Sequence, residues 1–183
     1  MKSYLLLLLS FLFTPFLYAQ TFNGTGGAIP GTSTTRTCFT INVTGVGVIN
    51  TTNGLAQLCM NIVHPNDDEL EIVLVAPDGT TVPLTVQNGG TGNNYTGTCF
   101  SATATTSIKA GTAPFTGTFI PEGYLGAVNN GQNANGAWTL CIQDRRTAAN
   151  AGSLTNWSIT FSNTPAPLPP EIPPCYTTLP RNP

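Results

Sequence analysis

Charge is what this sequence has least of. Lys, Arg, Asp and Glu together make up 8% of the 183 residues, against roughly 25% in an ordinary globular protein. Six basic and eight acidic side chains leave a net charge of −2. No basic surface is available to neutralise phosphates, so nucleic acid is excluded as a partner. No run of like charge points to a membrane surface either. Histidine occurs once, as His64, and no CxxC pair exists, which argues against a zinc site of the usual Cys/His spacing. No window keeps helical periodicity over two or more turns, so helical architectures are excluded too.

The N-terminus carries an address. Lys2 precedes an almost continuous apolar run from Tyr4 to Leu17, followed by Tyr18-Ala19-Gln20. The run is shorter than the roughly 20 residues a spanning helix needs. It reads as a secretory signal peptide over residues 1–19, cut after Ala19. The mature chain then has no membrane span and is secreted or held at the cell surface. Five cysteines suit that oxidising compartment.

Past the leader, alternation takes over. Leu58, Met60, Ile62 and His64 alternate with Cys59, Asn61 and Val63, the period of a half-buried strand. Pro65-Asn66-Asp67-Asp68 breaks it. Leu70, Ile72 and Leu74 resume it, and Pro77-Asp78-Gly79 turns the chain into a partner strand over Val82–Val86. Further strands are predicted over Thr37–Val43, Tyr95–Ala102, Trp138–Asp144 and Leu154–Phe161. Thr21–Thr35, rich in Gly, Thr and Ser, reads as an extended lead-in or loop. Short strands at regular spacing with Gly and Asn turns predict an all-β sandwich over residues 20–164. From Pro165 to Pro183 the composition becomes that of a Pro-rich linker or disordered tail.

Cys38, Cys59, Cys99 and Cys141 all fall on strands, opposite the apolar alternation, and so point to outer sheet faces. Two cross-strand disulfides are expected. Four cysteines allow three pairings, and Cys59 with Cys141 and Cys38 with Cys99 is the one favoured. Cys175, in the tail, is left for an intermolecular bond. Trp138 and Trp157 read as core. Tyr95 and Tyr124 are placed at loop edges, where they could stack on sugar rings.

The stretches His64 with DELEIVLVAPDGT, GGTGNNYTGTCF, GTAPFTGTFIPEGYLGAVNNGQNANGAWTLCIQD and GSLTNWSITF resemble, in order and spacing, the P domain (Homo B domain) of subtilisin/kexin-like proprotein convertases, especially its bacterial secreted forms. One departure is Asp68-Glu69-Leu70 where that family usually has Gly-Asp-Leu. The resemblance implies a jelly-roll-like β-sandwich of about eight strands. It also implies a non-catalytic accessory role beside a serine protease domain, with calcium support. Subtilisin motifs around a catalytic Asp, His and Ser are absent, so no catalytic domain is expected in this chain. His64, on the inward alternation, reads as a structural imidazole rather than a general base.

The acidic corner is the candidate site. Asp67, Asp68 and Glu69 are consecutive, and Asp144 ends a later strand. Calcium takes about six to eight oxygens from such loops, so these four are the expected ligands. The alternatives are a solvated turn helped by Arg145 or Arg146, and, for the whole chain, an adhesin-like or carbohydrate-binding module or a part of a larger secreted protease. A protein or a cell-surface glycan is the expected partner class.

Overall fold

The computed structural model describes residues 19–31, 34–146 and 150–171. The expected leader lies almost wholly outside them, as does Cys175. The chain is all-β, with nine strands among the described residues: β1 (Ala19–Ile29), β2 (Thr37–Val43), β3 (Gly54–Val63), β4 (Leu70–Val75), β5 (Thr81–Val86), β6 (Tyr95–Ser101), β7 (Phe115–Phe119), β8 (Gly136–Asp144) and β9 (Gly152–Ser162). They form a five-stranded sheet, β1-β9-β3-β6-β7, facing a four-stranded sheet, β2-β8-β4-β5. All pairings are antiparallel except β6 with β7.

The predicted alternation is what closes the sandwich. On β3, Leu58, Met60 and Ile62 are buried while Val63 is exposed; on β9, Leu154, Trp157, Ile159 and Phe161 turn inward. From the facing sheet come Ile41, Ile72, Leu74, Trp138, Leu140 and Ile142. Burying one such side chain contributes about 1.5–3 kcal/mol. Trp138 stands edge-on to Phe161, with ring centroids 5.4 Å apart, and its indole N–H donates to the Ala134 carbonyl at 2.8 Å. Both tryptophans are core, as the pattern predicts.

The lead-in is the main difference. Residues 19–29 are a full strand, hydrogen-bonded to β9 from Ala19↔Ser162 to Ile29↔Gly152. The glycines that look like looseness in sequence are close approaches. A Cβ at Gly26 would lie 1.8 Å from the Leu154 carbonyl oxygen, and one at Gly24 would lie 2.4 Å from Trp157 Nε1. Only glycine lets β1 approach so closely, at some cost in strand stability.

The disulfide pairing also differs from the favoured one. Cys38 is bonded to Cys141 and Cys59 to Cys99. Each pair sits directly opposite in register, on β2–β8 and on β3–β6. The favoured pairing would have joined strands of different sheets. Outward-facing cysteines on opposite sheets are separated by the whole sandwich, with sheets about 10 Å apart, beyond what a disulfide spans.

The head of the Pro-rich stretch belongs to the folded body. Ala166 is buried and its N–H donates to the Leu55 carbonyl at 2.9 Å.

Candidate metal centre

Four segments meet at one end of the sandwich. His64 follows the last residue of β3. A single 3-10 turn, Asp67–Glu69, leads into β4. Asp144 ends β8, and Asn150 precedes β9. The turn arises because Pro65 stops β3 and three consecutive acidic residues disfavour strand pairing. The Asp67 N–H donates to the Gly92 carbonyl at 2.8 Å, and the Arg145 N–H donates to the Glu69 carbonyl at 2.7 Å. These bonds tie the turn to the β5–β6 loop and to the end of β8.

Inside this knot, His64, Glu69 and Asp144 each bring one donor atom to within 4.8 Å of the others. All three are buried, at 0%, 5% and 1% exposure. His64 Nδ1 lies 2.8 Å from the Asn66 carbonyl oxygen. Its Nε2 lies 3.2 Å from the Asn150 carbonyl oxygen and 3.5 Å from Asp144 Oδ2. Asp144 Oδ1 accepts from the Arg146 N–H at 3.0 Å, whereas Oδ2 has no hydrogen-bond partner. Glu69 accepts from the side-chain amides of Asn66, at 3.1 Å, and Asn150, at 3.2 and 3.3 Å. Gly152 leaves room for the ring: a Cβ there would lie 2.5 Å from His64 Cδ2.

The four expected calcium ligands are not one set. Glu69 and Asp144 meet, but Asp67 and Asp68 lie outside the group that draws together among the described residues. Asp68 turns outward to Arg146, at 2.9 Å. Asp67 turns into the body, where neither carboxylate oxygen has a hydrogen-bond partner. Burial pushes its carboxyl up to about 7; the Asn94 backbone amide acts in the opposite sense, and the Asp68 charge adds to the rise. The residue that completes the group is an imidazole, a poor ligand for calcium, which takes oxygens. These residues therefore do not fit the calcium cage that the resemblance implies.

Neighbouring charges are accounted for elsewhere. Glu71, on the outer face of β4, is paired with both Arg36 and Arg145. Burial acts to raise its carboxyl, but the two guanidinium groups hold it below the usual range.

The tyrosines separate as well. Tyr95 is 1% exposed and stacks on Phe115 at 5.0 Å; burial, with the Asp67 charge, drives its phenol upward. It faces no solvent and cannot receive a sugar, because Phe115 on the parallel neighbour β7 covers it. Tyr124 is 60% exposed, beside an apolar cleft lined by Ile120, Leu125 and Leu168.

Sequence reasoning missed His64 as part of the acidic group, and missed Asn66 and Asn150 altogether. His64 and Asp144 are 80 positions apart in sequence, so only the signal of one histidine beside three acidic residues was available. A fully buried ring also has no path to a solvent-borne substrate, which sets the His64–Asp144 pair apart from a hydrolytic dyad.

Residues 55–161 match the family described as the proprotein convertase P-domain. Over 119 residues, 65% of its length, the chain is 28% identical to leupeptin-inactivating enzyme 1 of Streptomyces exfoliatus, and it spans 21% of that protein. Among solved structures it resembles the Aeromonas sobria serine protease in complex with its chaperone, at a TM-score of 0.49 and 18% identity over 80% of this chain and 26% of that one. The same protease by itself gives 0.46 and 19% identity, over 81% and 28% of the respective chains. The matched span runs from β3 through β9, and with it the chain belongs to the proprotein convertase P-domain family.

Proposed function

We propose that this chain is a secreted, non-catalytic accessory module that stabilises or docks onto a subtilisin-like serine protease. The observation that carries the reading is the P-domain match over residues 55–161, which takes in the sandwich from β3 to β9. Two disulfides and the apolar leader read from the sequence support an extracellular site of action. The buried imidazole supports a module that does not cut peptides. A protease encoded separately, or joined to this module in a longer chain, supplies that chemistry.

The exposed apolar corner around Ile120, Tyr124 and Leu168, at 36%, 60% and 43% exposure, suits a protein partner. An adhesin-like or glycan-binding role has lost the paired-tyrosine groove it relied on. The test is to refold a subtilisin-like catalytic domain, stripped of its own P domain, with and without the purified chain. A higher yield of active protease, or slower thermal inactivation, is expected. Equal yield and equal inactivation across several such proteases would refute the accessory role.

A further inference from the structure

We propose that His64, Asp144 and Glu69, with the Asn150 carbonyl, form a structural site for a first-row divalent cation of the zinc type. His64 Nδ1 faces the Asn66 carbonyl at 2.8 Å and the Asn66 N–H at 3.2 Å. One nitrogen cannot both donate and accept, and the site takes the tautomer in which Nδ1 carries the proton and donates along the shorter contact. Nε2 then presents a lone pair to two further acceptors, the Asn150 carbonyl at 3.2 Å and Asp144 Oδ2 at 3.5 Å. Asp144 is 1% exposed and its Oδ2 has no hydrogen-bond partner. Lone pairs converging in a dry interior cost several kcal/mol unless something positive lies between them.

A metal ion satisfies that geometry. Ligand atoms about 2.1 Å from one ion stand about 3.0 Å apart at a right angle and about 3.4 Å apart at a tetrahedral angle. The spacings at Nε2, 3.2 and 3.5 Å, lie at and just beyond that range, and Glu69, within 4.8 Å of the other two donor atoms, would draw in on binding. Imidazole with carboxylates is the donor set of first-row transition ions and not of calcium. The surroundings fix the donors in place: the other imidazole nitrogen donates to a backbone carbonyl, and Asn66 and Asn150 hold the Glu69 carboxylate by their amides, as ligating groups are commonly held. Three buried side chains and the Asn150 carbonyl would supply four ligands, the number of a structural rather than a catalytic site. The ion would clamp the ends of β3 and β8, the entry to β4 and the approach to β9. This inference does not depend on the protease reading.

The chain's single histidine makes the test decisive. Chelator-treated, oxidised protein without a polyhistidine tag is titrated with Zn²⁺, and the imidazole is followed by ¹⁵N NMR alongside calorimetry. One equivalent should bind, with Nε2 shifting on binding while Nδ1 keeps its proton, and the melting temperature should rise. Asn66→Ala, which takes one amide from the Glu69 carboxylate and keeps the backbone carbonyl at Nδ1, should weaken binding about tenfold or more. Three outcomes would overturn the site: an imidazole unmoved by excess Zn²⁺; a ring doubly protonated at neutral pH, with a proton filling the gap; or Ca²⁺ raising the melting temperature where Zn²⁺ does not. The overturning readouts are all made on the wild-type chain, so they stand even if Asn66→Ala fails to fold.

Discussion

Asn129 holds Leu55 as a strand neighbour would. Its Oδ1 accepts from the Leu55 N–H at 2.8 Å, and its Nδ2 donates to the Leu55 carbonyl at 3.1 Å and to the Ala166 carbonyl at 2.8 Å. The side chain is 1% exposed. One buried amide thus anchors the start of β3, the Leu125–Val128 turn and the segment after β9.

Asn129→Ala should therefore cost more than an ordinary surface change. It strips the Leu55 N–H and the Ala166 carbonyl of this amide, each worth about 1–3 kcal/mol when left buried and unmet, while the Leu55 carbonyl keeps the Ala166 N–H as a donor. Part of this is recovered if water enters, so a loss of about 2–4 kcal/mol is expected by urea denaturation. A loss below about 0.5 kcal/mol would mean that these groups find other partners.

The disulfides are unequal in reach. Cys38–Cys141 closes 103 residues and Cys59–Cys99 closes 40. Chain-entropy arithmetic gives about 5 and about 4 kcal/mol respectively. Replacing the Cys38–Cys141 pair by alanines should be the more damaging of the two changes. Non-reducing peptide mapping should recover these two linked pairs; a Cys59–Cys141 peptide would contradict the register.

Gly26→Ala tests β1 as a member of the sandwich. Its Cβ would collide with the Leu154 carbonyl oxygen at 1.8 Å, a backbone atom that cannot swing aside. A cost of about 3 kcal/mol is expected, at the upper end for overpacking, with loss of amide protection concentrated in residues 19–29. Unchanged protection there would mean that β1 is not docked in solution.

Asp68→Ala should be nearly silent. Its ion pair with Arg146 is exposed, and such pairs contribute about 0–1 kcal/mol. The same variant should leave Zn²⁺ affinity within about twofold, since the carboxylate faces away from His64. A large drop in affinity would bring Asp68 back among the ligands.

Glu122 carries an acid-side prediction. Burial acts to raise its carboxyl, but the ion pair with Lys109 at 3.0 Å and the donors Val86 N–H and Asn88 Nδ2, both at 2.7 Å, hold it below the ordinary value of 4.5. A depressed folded-state value means that the ionised form favours the fold. The contribution is present above about pH 4.5 and is lost as pH falls through the folded-state value. Glu122→Gln should flatten the decline of stability below that pH, with Glu71 and Asp78, also held low, supplying the slope that remains. An unaltered profile would show that Glu122 titrates alike in both states.

Much of the fold was legible because period-2 burial is a local code. Leu58, Met60 and Ile62, or Trp138, Leu140 and Ile142, declare their inward face without reference to any partner. The motifs from Asp68 to Phe161 carried the family in the same way. β1 was hidden because Gly24, Gly26 and Gly27 mimic a loop, and the reason for Gly24 and Gly26 lies at Trp157 and Leu154 on β9, more than a hundred residues away. The candidate site was half legible. The acidic turn could be seen, but its division into an outward Asp68, an inward Asp67 and a Glu69 facing His64 follows from the 3-10 turn, which sends successive side chains in different directions.

The sequence by itself determined that this is an all-β sandwich of the P-domain kind, with outward-facing cysteines and few charges, because those properties reside in residue types and short-range alternation. Only the tertiary structure decided which cysteines pair, which carboxylates share a site and which tyrosine reaches solvent. Those depend on sheet membership and register between strands 40 to 103 residues apart, and no local pattern fixes which strand becomes whose neighbour.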